Sequence, residues 1–138
     1  MTSASLALWI GGIVALVLIA WLLSYRAPRP FEVQTISARV RYVIDGDTFE
    51  LFGNYPRIRL FGVDAPEMKS RGGSVARAQL AKLIQGRSLD CQIITHDKYG
   101  RIVARCTLPG GADIGKLMIE SGFATEYCRY SKGFYGGC

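Results

Sequence analysis

An uncharged apolar run divides this chain into two parts that face different physical constraints. Residues 2–24 carry no charge, and Leu6–Leu23 reads LALWIGGIVALVLIAWLL. A helix of about 20 apolar residues crosses a hydrocarbon layer about 30 Å thick, and Trp9 and Trp21 fall near its two interfaces. No helical face of the run is polar, which disfavours a soluble core helix. The sequence therefore predicts one N-terminal transmembrane helix, a membrane anchor formed by residues 1–25 that spans the bilayer through residues 6–23.

A cleaved signal peptide is the alternative to a retained anchor. Signal peptides carry a basic segment before the apolar run and a small-residue cleavage site after it. No basic side chain precedes Leu6, and no clear cleavage site follows Leu23, so a retained single-pass anchor is favoured. Pro28 and Pro30 end any helix that continues from the span. We therefore predict a linker at residues 26–31 and one folded domain at residues 32–138.

Four cysteines lie in this domain: Cys91, Cys106, Cys128 and Cys138. They form no C-x-x-C pair and His96 is the single histidine, so a zinc site is disfavoured. Strand-like segments flank residues 97–101, and a hairpin there places Cys91 opposite Cys106, close enough to bond. Cys128 and Cys138 close a short loop through glycines. Two feasible pairs favour an oxidising compartment, although four buried free thiols are the alternative.

Membrane orientation stays open from the sequence. Arg26 and Arg29 follow the apolar run, with Arg39 and Arg41 further on, and the positive-inside rule assigns such a flank to the cytoplasm. The cysteines argue for the opposite side. We favour an extracytoplasmic domain.

Hydrophobic periodicity in residues 32–138 predicts five strands and two helices. The strands are expected at residues 33–43, 48–52, 57–63, 89–95 and 102–108. The helices are expected at residues 74–83 and 113–121, with Ser74 as a cap and Gly86 and Gly122 as stops. No helix is evident after Phe123. The order is that of a five-stranded Greek-key barrel of the OB-fold type with two helices, a mainly β (α+β) class.

The net charge of the chain and the positions of its acidic residues indicate which classes of ligand it binds. The formal net charge of +6 suggests an anionic partner, either nucleic acid or membrane lipid. Asp45 and Asp47 precede the second strand, Asp64 follows the third, and Glu67 lies just beyond. Antiparallel pairing can bring Asp47 and Asp64 together as a site for Ca²⁺ or Mg²⁺. Ordinary turn residues or solvated charges are the alternative reading of these acids.

Arginines supply the complementary chemistry. Arg57 and Arg59 share one face of their strand, so one of them is expected to cross towards the acids, and Arg101 sits at the base of the 97–101 turn. Guanidinium groups bind phosphate through paired hydrogen bonds, although surface solubility is the plainer role for any one arginine. Acids, a metal and arginines together suit phosphodiester hydrolysis. The chain has no Ser/His/Asp set, no histidine pair and no glycine-rich phosphate loop.

Three motifs carry a family resemblance that covers about residues 35–132. They are VIDGDTF (Val43–Phe49), RIRLFGVDAPE (Arg57–Glu67) and HDKYGRIVA (His96–Ala104), with a weaker match in GFATEYCRYS (Gly122–Ser131). The domain resembles the staphylococcal-nuclease-like (thermonuclease) family. That resemblance implies an OB-fold barrel and a Ca²⁺-dependent hydrolase of DNA and RNA. We expect the protein to be a monomer.

The resemblance also implies roles for individual residues. Asp47 and Asp64 resemble the calcium ligands of the family. Ala65 stands where members contribute a backbone carbonyl to the metal, usually from threonine, so a hydroxyl is lost here. Glu67 resembles the general base.

The resemblance also implies which residues contact the phosphates and the bases of a nucleic acid. Arg59 and Arg101 resemble the two phosphate-binding arginines. Tyr99 and Tyr130 fall where members place tyrosines against the nucleotide. A catalytically inactive nucleic-acid-binding module on the same barrel is the alternative function, and a purely structural domain at the membrane surface is a third.

Overall fold

The computed structural model describes residues 3–24 and 32–138 of the chain, which divides into two units, Met1–Glu32 and Val33–Cys138. Helix α1 (Ser3–Ser24) forms the first unit. Among the described residues, no helix meets both the length and the hydropathy needed to cross a membrane. The transmembrane anchor and its orientation therefore stay predictions. The predicted linker at residues 26–31 lies outside the described residues.

The second unit, described throughout, contains seven short strands and three helices. The strands are β1 (Thr35–Val43), β2 (Thr48–Leu51), β3 (Ile58–Leu60), β4 (Val63–Asp64), β5 (Ser88–His96), β6 (Ile102–Thr107) and β7 (Thr125–Glu126). The helices are α2 (Gly73–Ile84), α3 (Ile114–Glu120) and α4 (Cys128–Ser131). Five strands close a barrel in the order β1-β2-β3-β6-β5, and β4 and β7 form a separate two-stranded sheet. The predicted five-stranded barrel is confirmed.

Alternation along the strands builds the core. In β6, Ile102, Ala104 and Cys106 are buried while the residues between them are half-buried, because successive side chains of a strand point to opposite faces. Leu80 of α2 and Met118 of α3 are fully buried and join the same cluster. Each such apolar side chain contributes about 1.5–3 kcal/mol when removed from water. The helices therefore seal the barrel and fix the loops between the strands.

The third predicted strand divides into two. Gly62 has a φ of +65°, a conformation that glycine adopts readily, and it separates β3 from β4. Strand β3 stays in the barrel and pairs with β6 in parallel. Strand β4 leaves the barrel and pairs with β7, with Val63 opposite Glu126 and Asp64 opposite Thr125. The single strand expected at residues 57–63 is therefore wrong, and Asp64 belongs to the smaller sheet.

The predicted start of the first domain helix is also wrong. Helix α2 begins at Gly73 with Gly72 as its N-cap and no side-chain capping bond, so Ser74 does not cap it. A Cβ on Gly73 would collide with the backbone carbonyl of Glu67, and this close approach explains the glycine. Gly86, with a φ of +72°, follows the end of α2 as expected.

Both predicted disulfides are present. Cys91 and Cys106 face each other across β5 and β6 and are bonded. Cys128 is bonded to Cys138, and no cysteine is free. Helix α4, which begins at Cys128, corrects the expectation that no helix follows Phe123.

Candidate active site

A tight turn between β1 and β2 presents the first acids. The Asp47 N–H donates to the Asp45 Oδ1 over 3.0 Å, which is the side-chain-to-backbone turn that aspartate favours. A Cβ on Gly46 would lie 2.6 Å from the Ala65 Cβ and 2.8 Å from the Ala76 Cβ. The turn is therefore packed tightly between α2 and the segment after β4, and only glycine fits at its centre.

Asp47 is almost buried, with 7% of its surface exposed. Its carboxylate accepts hydrogen bonds from the Thr48 hydroxyl at 2.9 Å and the Ala65 N–H at 3.1 Å. Burial raises the pKa of Asp47 to about 6, although the charge of Arg59 opposes the rise; Asp45 adds to it. A further positive charge beside this carboxylate would favour its ionised form.

Arg59 joins the two predicted metal ligands. Its Nη1 lies 2.8 Å from the Asp47 Oδ2, and its Nη2 lies 3.9 Å from the Asp64 Oδ1. Nη1 also donates to the Val63 carbonyl over 2.9 Å. Arg57 instead points outwards to Glu50. Of these two arginines, Arg59 is therefore the one that reaches the acids, as one of them was expected to.

The predicted metal ligands provide oxygen donors only. Asp47 and Asp64 lie on either side of the Arg59 guanidinium, and Ala65 adjoins Asp64 and donates its N–H to Asp47. Within residues 3–24 and 32–138, no group of three or more His, Cys, Asp or Glu side chains is placed to hold an ion. Two carboxylates, a backbone carbonyl and water still match the preference of Ca²⁺ for hard oxygen ligands. Asp47 and Asp64 approach the same guanidinium from two sides, so these residues fit the implied metal.

Glu67 lies in the exposed turn before α2. Its backbone carbonyl accepts bonds from the Ser70 N–H at 2.8 Å and the Ser70 hydroxyl at 2.7 Å, which fix the turn. Its carboxylate makes no hydrogen bond or ion pair within the described part of the chain. The carboxylate is therefore exposed to solvent.

Arg101 is held by the turn between β5 and β6. The Asp97 carboxylate accepts from the Arg101 Nε at 2.6 Å, from the Arg101 N–H at 3.0 Å and from the Tyr99 N–H at 2.9 Å. Burial raises the pKa of Asp97, but these hydrogen bonds outweigh it and hold the pKa below its ordinary value. Asp97 binds only the Nε of the Arg101 guanidinium. The two terminal nitrogens of Arg101 make no hydrogen bond to any of the described residues.

The two predicted nucleotide-contacting tyrosines are both exposed. Tyr99 lies at the tip of the β5–β6 hairpin, with the Arg101 guanidinium 5.4 Å from its ring centroid. Tyr130 lies in α4 and packs edge-to-face with Tyr127 at 4.7 Å. The Tyr127 N–H donates to the Gly62 carbonyl, so this second tyrosine group adjoins the start of β4, where Asp64 lies.

The structure thus groups some predicted site residues and leaves others apart. Asp47 contacts both Arg59 and Ala65, and Arg59 also lies 3.9 Å from Asp64. Across the described residues, four others make no hydrogen bond or ion pair with that group: Glu67, Tyr99, Arg101 and Tyr130.

Two supporting acids were not assigned a role from the sequence. Asp45 fixes the turn that carries Asp47, and Asp97 fixes Arg101. Both begin a short turn in which the side chain of one residue accepts the N–H two residues later. An aspartate followed by a turn signal is the pattern that indicates such a role.

Comparison with known proteins agrees with this geometry. A family model described as staphylococcal nuclease homologue matches residues 57–136. An uncharacterized endonuclease of Escherichia coli is 34% identical over 104 residues, which cover 74% of this chain and 68% of that protein. A micrococcal nuclease of Shigella flexneri is 34% identical over 100 residues, covering 65% of this chain and 58% of that protein. A staphylococcal-like nuclease of Arabidopsis thaliana is 33% identical over 99 residues, covering 72% of this chain and 30% of that protein. The chain belongs to the staphylococcal nuclease family and is an endonuclease that hydrolyses phosphodiester bonds.

Proposed function

We propose that this protein is a calcium-dependent nuclease that cleaves DNA and RNA and is held at a membrane by residues 6–23. The observation that carries the proposal is the Arg59 guanidinium placed between Asp47 and Asp64. The site combines one buried and one exposed carboxylate with an arginine. The carboxylates suit a divalent cation, and the arginine suits a phosphate.

The metal ligands are assigned to Asp47, Asp64 and the Ala65 carbonyl. A bound Ca²⁺ supplies positive charge that offsets the charge of the reacting phosphate. Asp45 holds Asp47 in place, and the Ala65 N–H helps to orient the same carboxylate. The protein therefore holds the Asp47 carboxylate in a fixed position, whereas the Asp64 carboxylate is exposed and, among the described residues, contacts only the Arg59 guanidinium, at 3.9 Å.

Glu67 is assigned as the general base. Its exposed carboxylate accepts a proton from the water that attacks phosphorus, and a P–O bond to the leaving sugar oxygen breaks as the new P–O bond forms. General-base catalysis contributes about 10²- to 10⁴-fold in rate. The bonds from Ser70 to the Glu67 carbonyl hold the turn while leaving the carboxylate free.

Arg59 and Arg101 are assigned to the phosphate. Each is fixed by one part of its guanidinium: Arg59 by Nη1 on Val63 and Asp47, and Arg101 by Nε on Asp97. The donors assigned to a phosphate oxygen are the terminal N–H groups of Arg101 and the Arg59 Nη2, which lies 3.9 Å from the Asp64 Oδ1. Donors held in place before the reaction stabilise developing charge without reorganisation.

Tyr99 and Tyr130 are assigned to base stacking. Their exposures of 72% and 58% leave aromatic faces accessible to solvent, and bases stack on such faces with little sequence preference. The Arg101 guanidinium next to Tyr99 links one stacking position to a phosphate position.

The membrane side is assigned as extracytoplasmic because both cysteine pairs are bonded and disulfides persist in oxidising compartments. The arginines after the apolar run favour the other side. Protease treatment of intact cells or spheroplasts distinguishes the two. Digestion of the domain from outside supports the assignment, and protection until the membrane is lysed contradicts it.

Activity is tested on the full chain purified in detergent without reductant. DNA and RNA are each incubated with Ca²⁺ or with a chelator. We expect degradation that requires Ca²⁺ and falls about 10²-fold or more in Glu67→Gln. Glu120→Gln, which removes an exposed carboxylate from α3, serves as the matched control and is expected to match the wild type. Binding without degradation in excess Ca²⁺ would instead indicate an inactive binding module.

A further inference from the structure

A second cationic surface lies on the outer side of β1 and β2 and against α2. It consists of two arginines, each stacked on a half-exposed aromatic ring. The Arg39 guanidinium lies 5.3 Å from the Phe52 ring centroid, and the Arg77 guanidinium lies 5.1 Å from the Tyr42 ring centroid. We refer to these four residues as the arginine–aromatic surface.

A bulge in β1 creates this surface. The pairing of β1 with β2 shifts between Val40 and Tyr42, so Arg41 is the extra residue and both Arg41 and Tyr42 are exposed. Bulges bend a strand and redirect its side chains. Before the bulge, the Phe52 N–H donates to the Arg39 carbonyl over 2.8 Å. This hydrogen bond keeps Arg39 and Phe52 side by side on adjacent chain segments.

The charges of this surface are not neutralised. Neither Arg39 nor Arg77 forms an ion pair with a carboxylate among the described residues. Arg77 donates instead to the Val43 carbonyl at 2.9 Å and the Tyr42 hydroxyl at 2.6 Å. The other stacked arginines contrast with this, because Arg101 and Arg105 each pair with an aspartate. The surface therefore keeps its full positive charge for an outside partner.

The surface is continuous with the catalytic turn. Arg77 follows Ala76, whose side chain packs against Gly46 between the two acids. Arg77 also bonds to Val43, the last residue of β1 before that turn. Arg39 lies about 10 Å further along the strand from Tyr42, at about 3.3 Å per residue. The Arg77 end of the surface therefore adjoins the turn that carries Asp45 and Asp47.

We propose that the arginine–aromatic surface binds single-stranded nucleic acid outside the active site, an inference that rests on the proposed function and names its preferred substrate. Arg39 and Arg77 bind phosphates, and unpaired bases stack on Phe52 and Tyr42. A single strand fits better than a duplex because only its bases expose faces to aromatic side chains. An anionic bilayer also attracts exposed arginines, and a measurement with vesicles distinguishes that partner from a single strand.

The test measures binding by the full chain in detergent, with chelator present to prevent hydrolysis. The probe is a labelled DNA strand of about 16 nucleotides, the upper site size of one OB fold, compared with the same sequence as a duplex. Arg39→Gln with Arg77→Gln is expected to weaken single-strand binding about tenfold or more. The slope of log Kd against log salt should fall by about 0.7 for each arginine. Lys116→Gln, which removes an exposed charge from α3, should leave binding unchanged.

A second variant separates stacking from charge. Phe52→Ala keeps every charge, so it should weaken single-strand binding about fivefold or more while leaving the salt slope unaltered. Hydrolysis of a dinucleotide in Ca²⁺ should proceed at the wild-type rate in Phe52→Ala and in Arg39→Gln alone, because these two residues lie side by side on the part of the surface further from the catalytic turn. That rate also shows that these two variants are folded.

The outcomes distinguish the surface from the proposed function. Unchanged single-strand affinity in the arginine and Phe52 variants overturns the proposal even if the enzyme is active, and so does an equal loss on the duplex. Loss of binding only to vesicles containing phosphatidylserine overturns it in favour of a bilayer contact. Single-strand binding that depends on these residues, in a protein that cleaves nothing, upholds the surface and contradicts the nuclease assignment.

Discussion

Arg59 and Asp47 form an ion pair of 2.8 Å between Nη1 and Oδ2 in which both side chains are largely withdrawn from water. The pair links β3 to the turn before β2, where Thr48 lies opposite Arg59. Removing one partner of a buried pair leaves the other charge uncompensated. Arg59 is therefore expected to support the fold as well as the reaction.

Arg59→Gln should lower the free energy of unfolding by about 3 kcal/mol, measured by urea denaturation of the full chain in detergent. Arg57→Gln is the matched control, because Arg57 lies two positions away, just before β3 begins. Its partner Glu50 is solvent-accessible, so the loss should stay below about 1 kcal/mol. Equal losses in the two variants would show that burial of the Arg59 pair has no energetic consequence.

Gly46→Ala should disrupt the catalytic turn by steric contact alone. The added Cβ meets the Cβ atoms of Ala65 and Ala76, and overpacking of this kind costs about 1–3 kcal/mol. The expected result is a lower melting temperature together with weaker Ca²⁺ activation. Gly46→Ala combined with Ala76→Gly should recover part of both losses. A single variant as stable as the wild type would mean that the contact relaxes without cost.

Asp97→Asn should weaken catalysis through Arg101. The amide keeps an oxygen for the backbone N–H groups, but the Arg101 Nε loses its ionic partner at 2.6 Å. We expect kcat/KM to fall about tenfold, with little change in the folded fraction at neutral pH. Asp90→Asn, on the same hairpin, should retain wild-type activity.

The same carboxylate predicts an acid dependence. The pKa of Asp97 is lowered from 3.8, so its ionised form is bound more favourably in the folded protein. Its contribution to stability is complete above the unfolded pKa and is lost as the pH falls through the lowered folded pKa. The stability difference between the wild type and Asp97→Asn should therefore shrink on acidification below about pH 4. A difference that grows in acid would contradict the lowered pKa.

Cys128→Ser with Cys138→Ser should loosen the smaller sheet. Glu126 of β7 accepts bonds from the Tyr135 N–H at 2.9 Å and the Gly137 N–H at 2.5 Å, so the disulfide closes the segment that holds β7 beside Asp64. Loss of the bond should cost about 2 kcal/mol and raise the Ca²⁺ concentration needed for half-maximal activity. Unchanged values of both would show that the hydrogen bonds to Glu126 suffice alone.

The sequence pattern predicted those parts of the fold that local signals determine. The alternation of apolar and polar residues located the barrel strands. The register of the hairpin at residues 97–101 placed Cys91 opposite Cys106. The division of residues 57–63 escaped this reasoning because it depends on pairing with β7, which is distant in sequence. Helix α4 escaped it for a similar reason: its four residues are too few for a periodic pattern.

Some features of the candidate site were likewise predicted from the sequence, and others were not. Asp47, Arg59 and Asp64 were grouped from strand adjacency and from family motifs, and the structure brings them together. Ser74 was misjudged as a cap because the close approach of Gly73 to the Glu67 backbone is a tertiary contact. The supporting roles of Asp45 and Asp97 depend on side-chain geometry within turns, which a motif alone does not specify.

The turn at Gly62 affects the order in which the parts of the site are assembled during synthesis. Because the chain leaves the barrel there, Arg59 belongs to one sheet and Asp64 to another whose second strand, β7, is synthesised much later. A nascent chain on the ribosome carries the motif residues of the site long before it carries the strand that positions Asp64. The strand pair that positions Asp64 therefore cannot form until residues 125 and 126 have been synthesised.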